Sequence, residues 1–225
     1  MSSPPAAAPR TRGFKKKERT RRHLLRAAVE EIAINGEAFT ILDVTRRAEV
    51  SNGTFYNYFD DRDALVEAVI TEVVASFVDT AAGLVEVDDP VRRFAAITAL
   101  LLEQSVTNPK LATVLLRLHT IGHTDVWPDD PFRYMRDDLV EAAQRGRLTT
   151  EPTDAVIDLV TGTLMRAVMR ITTVGATADY RTEVVLLLLE TFGLDASEAA
   201  TVAAEAVALA PELGHAYRAA DELQS

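Results

Sequence analysis

The chain contains no cysteine among its 225 residues. It therefore has neither a disulfide framework nor a thiol site. It also lacks any run of about 18 apolar residues, so no membrane span and no membrane partner are expected. The N-terminus has no apolar stretch of the kind a signal peptide carries, and a cytosolic protein is expected. Enzyme signatures are missing too. There is no glycine-rich phosphate loop, no Gly-x-Ser-x-Gly and no His-Glu-x-x-His. Carboxylates scattered along helices are usually solvated faces, so neither catalysis nor a cofactor is expected. Nothing alternates with period two over the length of a strand, and no internal repeat is visible. These absences leave an all-α protein.

Enough is present to build a core. Hydrophobic residues make up 48% of the chain, and its length suits one small and one medium domain. The net charge of −10 hides an asymmetry: residues 1–62 carry twelve basic and eight acidic groups, while the remainder carries twelve and twenty-six. Nine basic residues and a single acid, Glu18, fall within residues 10–26. Phosphate binding responds to such a local field rather than to the overall charge. The acidic remainder reads as an ordinary solvated helical surface or as a body kept off DNA by its charge.

Residues 40–62 read TILDVTRRAEVSNGTFYNYFDDR. Thr40 stands where a helix N-cap should be, ahead of Ile41, Val44 and Ala48, which spacings of three and four place on one face. Glu49, Val50 and Ser51 form a turn, with Val50 directed inward and Ser51 capping the next helix. Phe55 and Phe59 are four apart and serve as inward anchors. Asn52, Gly53, Thr54, Tyr56, Asn57 and Tyr58 are left mostly outward, with amides, hydroxyls and phenols suited to phosphates and base edges. A helical hairpin of no function would account for the two phenylalanines. It would not account for two outward tyrosines beside a basic run. The pattern is that of a helix-turn-helix made for the major groove.

This stretch resembles the DNA-binding domain of the TetR family of transcriptional regulators. The likeness runs from Arg21-Arg22-His23-Leu24-Leu25-Arg26-Ala27-Ala28 through Asn35-Gly36 and Thr40 to Gly-Thr-Phe-Tyr-Asn-Tyr-Phe at residues 53–59, and ends at Arg62 and Leu65. The family usually has lysine at the place of Arg62, where it touches a phosphate; arginine keeps that charge. It often has glycine in the turn, at or near Glu49. The resemblance implies a homodimer joined by a four-helix bundle, a double-stranded operator as partner, and a variable effector domain. Tyr56 and Asn57 are expected at bases or in the groove, and Thr40, Thr54, Tyr58 and Arg62 at phosphates.

Three regions are expected: a disordered basic arm over residues 1–18, the helix-turn-helix domain over 19–65, and a helical ligand-binding and dimerisation domain over 66–225. Lys15, Lys16 and Lys17 of the arm are expected on the DNA backbone or in the minor groove, disordered without DNA. The first helix is predicted over residues 19–34, with Gly36 ending it. Further breaks are predicted at Asp88-Asp89-Pro90, Asn108-Pro109, Pro128 to Pro131, Gly146, Glu151-Pro152, Gly175 and Gly193. Residues 154–173 hold Gly162, Thr163 and Ala167, small enough for close helix approach. Residues 184–189 read VVLLLL, apolar on every face, which demands cover on all sides. A dimer through residues 154–173 and 179–192 would supply it. Helices are also predicted over residues 197–209 and, separately, 211–223.

Any effector pocket should lie within residues 94–169. Its candidate lining is His119, His123, Trp127, Phe132, Tyr134, Met135, Met165 and Met169, although such residues at helical spacing are more often plain core. His119 and His123 could face one metal ion, but only Asp125 is close enough in sequence to add a ligand, so no metal is expected. The function read from the sequence is a ligand-released repressor on a palindromic operator, with an apolar or amphipathic small molecule as effector. A transcriptional activator, or a small-molecule-binding protein on the same scaffold without DNA binding, are the alternatives.

Overall fold

The computed structural model describes residues 12–85, 87–121 and 133–224. Ten α-helices and no strand occur among them. They form two compact units, divided between Val69 and Ile70 within one helix.

The first unit opens with α1, Arg12–Asn35. This helix begins seven residues before its predicted start at Arg19. Lys15, Lys16 and Lys17 thus belong to a helix and not to a disordered arm. The reason is local: from Arg12 onward the run has no proline, and Lys, Arg and Glu are good helix formers, so nothing stops the helix from extending outward. Residues 1–11 of the expected arm lie outside the described residues. Leu24, Leu25, Ala28 and Ile32 bury themselves at helical spacing. Gly36 takes a φ of +55°, the left-handed position that ends helices, and a short 3₁₀ turn, Gly36–Ala38, follows. Helices α2 (Ile41–Arg47) and α3 (Asn52–Phe55) complete the unit together with the start of α4, Arg62–Leu84.

The second unit is arranged around α5, Pro90–Thr107. Asp89 caps its start by accepting from the Val91 and Arg92 amides at 2.9 and 3.3 Å, and Pro90 fits the first turn. Packed against α5 are α6 (Pro109–Ile121), α7 (Arg133–Gln144), α8 (Asp154–Val174), α9 (Ala178–Thr191) and α10 (Ala196–Gln224). One apolar cluster joins α5, α7, α8, α9 and α10; a second joins α4, α5 and α10 through Phe77, Leu100, Leu213 and Tyr217. The breaks at Asp88-Asp89, Asn108, Gly146, Pro152, Gly175 and Gly193 fall between helices, with Pro90 opening α5, while Pro128 to Pro131 lie outside the described residues. Gly193 is obligatory: its φ is +81°, and a Cβ there would run into Thr149.

The C-terminal segment departs from expectation. Residues 197–209 and 211–223 form one helix, α10, with Pro211 inside it. Proline removes an N–H and crowds the carbonyl four residues back, at a cost of about 3 kcal/mol in a helix interior. Burial on both sides of it offsets that cost: Ala206, Val207 and Ala210 before, Leu213 and Tyr217 after. Tyr217 meets the Phe77 ring at 5.3 Å.

Among the described residues no helix is long and apolar enough to cross a membrane. None of their His, Asp and Glu side chains gather into a group of three that could hold a metal ion.

Candidate nucleic-acid interface and effector cavity

Short-range bonds shape the reading head. Thr40 caps α2 in a reciprocal box: its hydroxyl accepts from the Asp43 amide at 3.2 Å, and the Asp43 carboxylate accepts from the Thr40 amide at 3.0 Å. The Thr40 hydroxyl also donates to that carboxylate at 2.5 Å. These bonds hold the Asp43 carboxyl below its ordinary value, the side-chain bond to Thr40 first. Ser51 caps α3 through the Thr54 amide at 3.1 Å. Thr45 is buried and donates to the Asn52 side-chain oxygen at 2.9 Å, tying α2 to α3. Between them the turn passes through Glu49 at φ +52°, a left-handed conformation that a non-glycine residue rarely takes.

The reading helix is shorter than expected. It ends at Phe55, with Tyr56 as C-cap, and residues 56–58 continue as tight turns. The Asn57 and Tyr58 amides donate to the carbonyls of Thr54 and Phe55, three residues back, and the Phe59 amide to Phe55. Phe55 and Phe59 are both buried, their rings 5.6 Å apart, and they pull the backbone inward just where the helix would have continued. Tyr56 and Asn57 are exposed, and neither side chain makes a hydrogen bond among the described residues. Tyr58 is half-buried.

Three expected phosphate groups have local employment, one of them Thr54, whose hydroxyl shares a 2.9 Å hydrogen bond with the Ser51 hydroxyl. The Arg62 guanidinium donates to the carbonyls of Glu37 at 2.8 Å and Phe39 at 3.3 Å, and lies 4.3 Å from the centre of the Phe39 ring. Thr40 is spent on its cap. Arg62 and Thr40 position the head first. Lys16 and Lys17 are exposed on α1, as are Arg19 and Arg22; the Lys15 side chain lies outside the described residues. A further pairing was not read from sequence. Buried Glu31 on α1 accepts from Arg47 Nε at 2.6 Å and from Asn35 at 2.7 Å, fastening α1 to the end of α2. An acid at a core-facing position of α1, three after Ala28, was its only signal.

The second unit encloses a cavity of about 110 Å³, lined by Val74, Phe77, Val78, Phe94, Ile97, Thr98, Leu101, Leu115, Tyr134, Met135, Asp138, Thr161, Leu164 and Met165. Of the expected lining residues, Tyr134, Met135 and Met165 are here. Met169 is not: it is 42% exposed on the outer side of α8, since the cavity touches that helix only along Thr161 to Met165. His119 falls on α6, but its side chain lies outside the described residues, as do His123, Trp127 and Phe132 altogether. The cavity also reaches beyond the expected residues 94–169, since Val74, Phe77 and Val78 of α4 line it; within that range the sequence reading missed the α5 residues Phe94, Ile97, Thr98 and Leu101, although they have helical spacing.

One charged group lines this apolar space. Asp138 is only 7% exposed, and its Oδ1 accepts from Arg93 Nε at 2.7 Å. Arg93 also donates to Glu141 at 2.7 Å and to the Val87 carbonyl at 3.1 Å. Burial pushes the Asp138 carboxyl up; the bond and charge of Arg93 pull against that without cancelling it. The Tyr134 hydroxyl is occupied, donating to Asp79 at 2.5 Å, and the Thr161 hydroxyl donates to the Ile157 carbonyl at 2.8 Å.

The helices expected at the seam show a mixed face. Leu159, Gly162 and Thr163 of α8 and Val184 and Leu187 of α9 border a shallow groove, with Leu159 48% and Leu187 53% exposed. Ala167 is fully buried in the core, so it cannot be one of the small residues at a seam. Nor is α9 uncovered all round: Val185, Leu188 and Leu189 are buried within the unit, and Leu187 faces out.

Residues 24–69 match the family model of the bacterial regulatory proteins of the tetR family. No curated protein matches the chain. Among solved structures, RolR in complex with resorcinol is 26% identical, with a TM-score of 0.58, over 84% of this chain and 95% of that one. TylP, a TetR regulator from Streptomyces fradiae, is 23% identical with a TM-score of 0.58, over 85% and 91%. A gamma-butyrolactone receptor described as ArpA-like is 20% identical with a TM-score of 0.57, over 88% and 98%; these last two likenesses speak to the fold. The matched stretch is the reading head itself, so this chain carries a DNA-binding domain of the kind found in the bacterial regulatory proteins of the tetR family.

Proposed function

We propose that the protein is a ligand-released repressor, working in the cytoplasm as a homodimer and turning over no substrate. Each copy sets residues 52–58 into one of two successive major grooves of a palindromic operator, about 34–36 Å apart. The observation that carries this reading is the pair Tyr56 and Asn57, exposed and without side-chain hydrogen bonds among the described residues, on a backbone fixed by buried Phe55 and Phe59. Thr54, Tyr58 and the lysines of α1 serve the phosphates. Asn52 offers its amide N–H groups, its oxygen being held by Thr45. A second copy covers Leu159 and Leu187. The effector is an apolar or amphipathic small molecule seated in the cavity beside Tyr134 and Met165. The resorcinol bound by RolR, a protein of similar fold and size, supports a small organic effector here.

Release is mechanical in this reading. Helix α4 begins in the head at Arg62 and lines the cavity with Val74, Phe77 and Val78. A ligand that prefers one placement of these side chains biases the helix, and with it the spacing of the two heads. It must bind the two arrangements with different affinity; tight binding alone shifts nothing. A coupling of about 1–3 kcal/mol weakens operator binding roughly 5- to 150-fold, and the operator must weaken ligand binding by the same factor. Selection of binding sites from random duplexes, followed by titration of a ligand with and without the selected operator, tests both halves. No enriched palindrome would reject sequence-specific binding. Equal ligand affinity in both titrations would reject release by that compound. Changing Lys15, Lys16 and Lys17 to Ala should lower the salt slope of binding by about one unit per lost phosphate contact; an unchanged slope removes them from the interface.

A further inference from the structure

Besides the Thr98 hydroxyl, the cavity holds one charged group that the fold does not use up. Asp138 lines it, and both contacts that Arg93 makes with Asp138 fall on Oδ1. Oδ2 accepts no hydrogen bond among the described residues. Around it the walls are apolar: Phe77, Phe94, Leu101, Leu164 and Met165. Oδ2 keeps contact with solvent through the cavity, and a ligand that fills the space strips that contact away. A ligand that brings a donor replaces it; a ligand with acceptors alone leaves a charged oxygen bare.

Desolvation decides the kind of donor. The Asp138 carboxylate is already answered by Arg93, and Glu141 by both Arg93 and Arg145, at 2.7 and 2.5 Å. Asp88 beside Arg145 and Asp137 near Asp138 leave the surroundings acidic. An ammonium ligand would nonetheless be stripped of water against apolar walls, and that burial is expensive. A neutral hydroxyl avoids that cost. The size of the space is of the order of one aromatic ring.

Resting on the reading of this cavity as the effector site, we infer that the effector is a neutral hydroxyl compound of about one ring, a phenol or cyclic alcohol, whose O–H donates to Asp138 Oδ2. Asp138 is thereby the specificity-determining residue, held in place by Arg93. Lactones, ethers and ketones of the same shape fit the walls but leave Oδ2 without a donor.

The experiment compares phenol with anisole, its methyl ether, and benzyl alcohol with benzylammonium, on the full-length protein by calorimetry or ligand-observed NMR. Phenol should bind at least about tenfold more tightly than anisole, the range expected for a bond to a charged acceptor. Benzyl alcohol should bind more tightly than benzylammonium. In Asp138→Asn the phenol preference should shrink to under about threefold. Should that variant fail to fold, the side-chain carboxyl ¹³C signals of wild-type protein give the same answer: one aspartate signal should move with phenol and stay put with anisole. Equal binding of phenol and anisole, or no aspartate signal distinguishing them, overturns the inference while leaving the cavity as an effector site. Tighter binding of benzylammonium overturns it in favour of a cation site. If none of the four binds, both the inference and the placing of the effector in this cavity are overturned.

Discussion

The two units of this protein place their working groups in opposite ways. In the head, the groups stand within one stretch, Thr40 to Arg62, and bonds between near neighbours hold them: Thr40 with Asp43, Ser51 with Thr54, Thr45 with Asn52. Their outward side chains lie at the surface, with packing limited to such contacts as Tyr56 edge-on to Phe55 and Arg62 over Phe39. In the body, the cavity draws on five helices, from Val74 of α4 to Met165 of α8, and its walls are core residues. Its ties are long-range: Arg93 with Asp138, Arg181 with Glu103 at 3.2 Å, Arg92 with Glu205 and Arg147 with Glu198. Function and stability can therefore be separated by mutation in the head, whereas in the body most changes at the site also disturb the fold.

The sharpest break of that comparison lies on α9, where adjacent leucines have opposite environments. Leu188→Glu puts an unpaired charge into the core and should cost on the order of 3–5 kcal/mol in urea denaturation. Leu187→Glu should leave the monomer folded and shift sedimentation from dimer to monomer. A dimer that survives Leu187→Glu would place the seam elsewhere.

Arg47→Ala probes whether the head has a core tie of its own. It leaves the Glu31 carboxylate buried with only Asn35, and should cost about 1–3 kcal/mol once solvent at the half-exposed arginine is allowed for. A change below about 0.5 kcal/mol would mean that water takes the place of the arginine at Glu31. On the surface of the same unit, Tyr56→Ala and Asn57→Ala should leave thermal unfolding unchanged. Each should weaken operator binding by about 1–3 kcal/mol, with Asn57→Ala altering sequence preference more than Thr54→Ala. If both bind the selected operator like wild type, residues 52–58 are not the reading segment.

Asp89→Asn should cost the body about 1 kcal/mol, through a weaker cap and a lost partner for Arg147. Burial pushes the Asp89 carboxyl up, but Arg147 and the Arg92 and Val91 amides outweigh it, and the group rests below its ordinary value. A depressed carboxyl stabilises above the ordinary carboxylate range, and that contribution fades as pH falls through the depressed value. The Asn variant should therefore differ from wild type at neutral pH and converge with it in acid. The smallest effect is expected from Glu49→Gly, which relieves the left-handed turn and should raise stability by up to about 1 kcal/mol, offset in part by the freer unfolded chain. A loss of stability would show that the Glu49 side chain does more than occupy the turn.

How much was legible follows from the same division. The two caps, the two inward phenylalanines and the outward Tyr56 and Asn57 could be read because each depends on spacings of three or four residues. The early start of α1 was missed because no stop signal separates Lys15 to Lys17 from the helix behind them. The persistence of α10 through Pro211 was missed because the compensating burial comes from Phe77 and α5, more than a hundred residues away. Met169 was misplaced for a similar reason: periodicity gives a face of α8 but not where along that face the cavity ends.

The sequence by itself determined that the chain is helical, where its second and third helices begin, and which side chains the head leaves free, since local hydrogen bonding and side-chain period set all three. Only the tertiary structure decided that Arg62 braces Phe39 and the chain at Glu37, that Leu187 faces out while Leu188 faces in, and that Asp138 keeps one oxygen uncommitted inside an apolar cavity. Those outcomes depend on which distant surfaces meet, and burial, not spacing, assigns the role of each group.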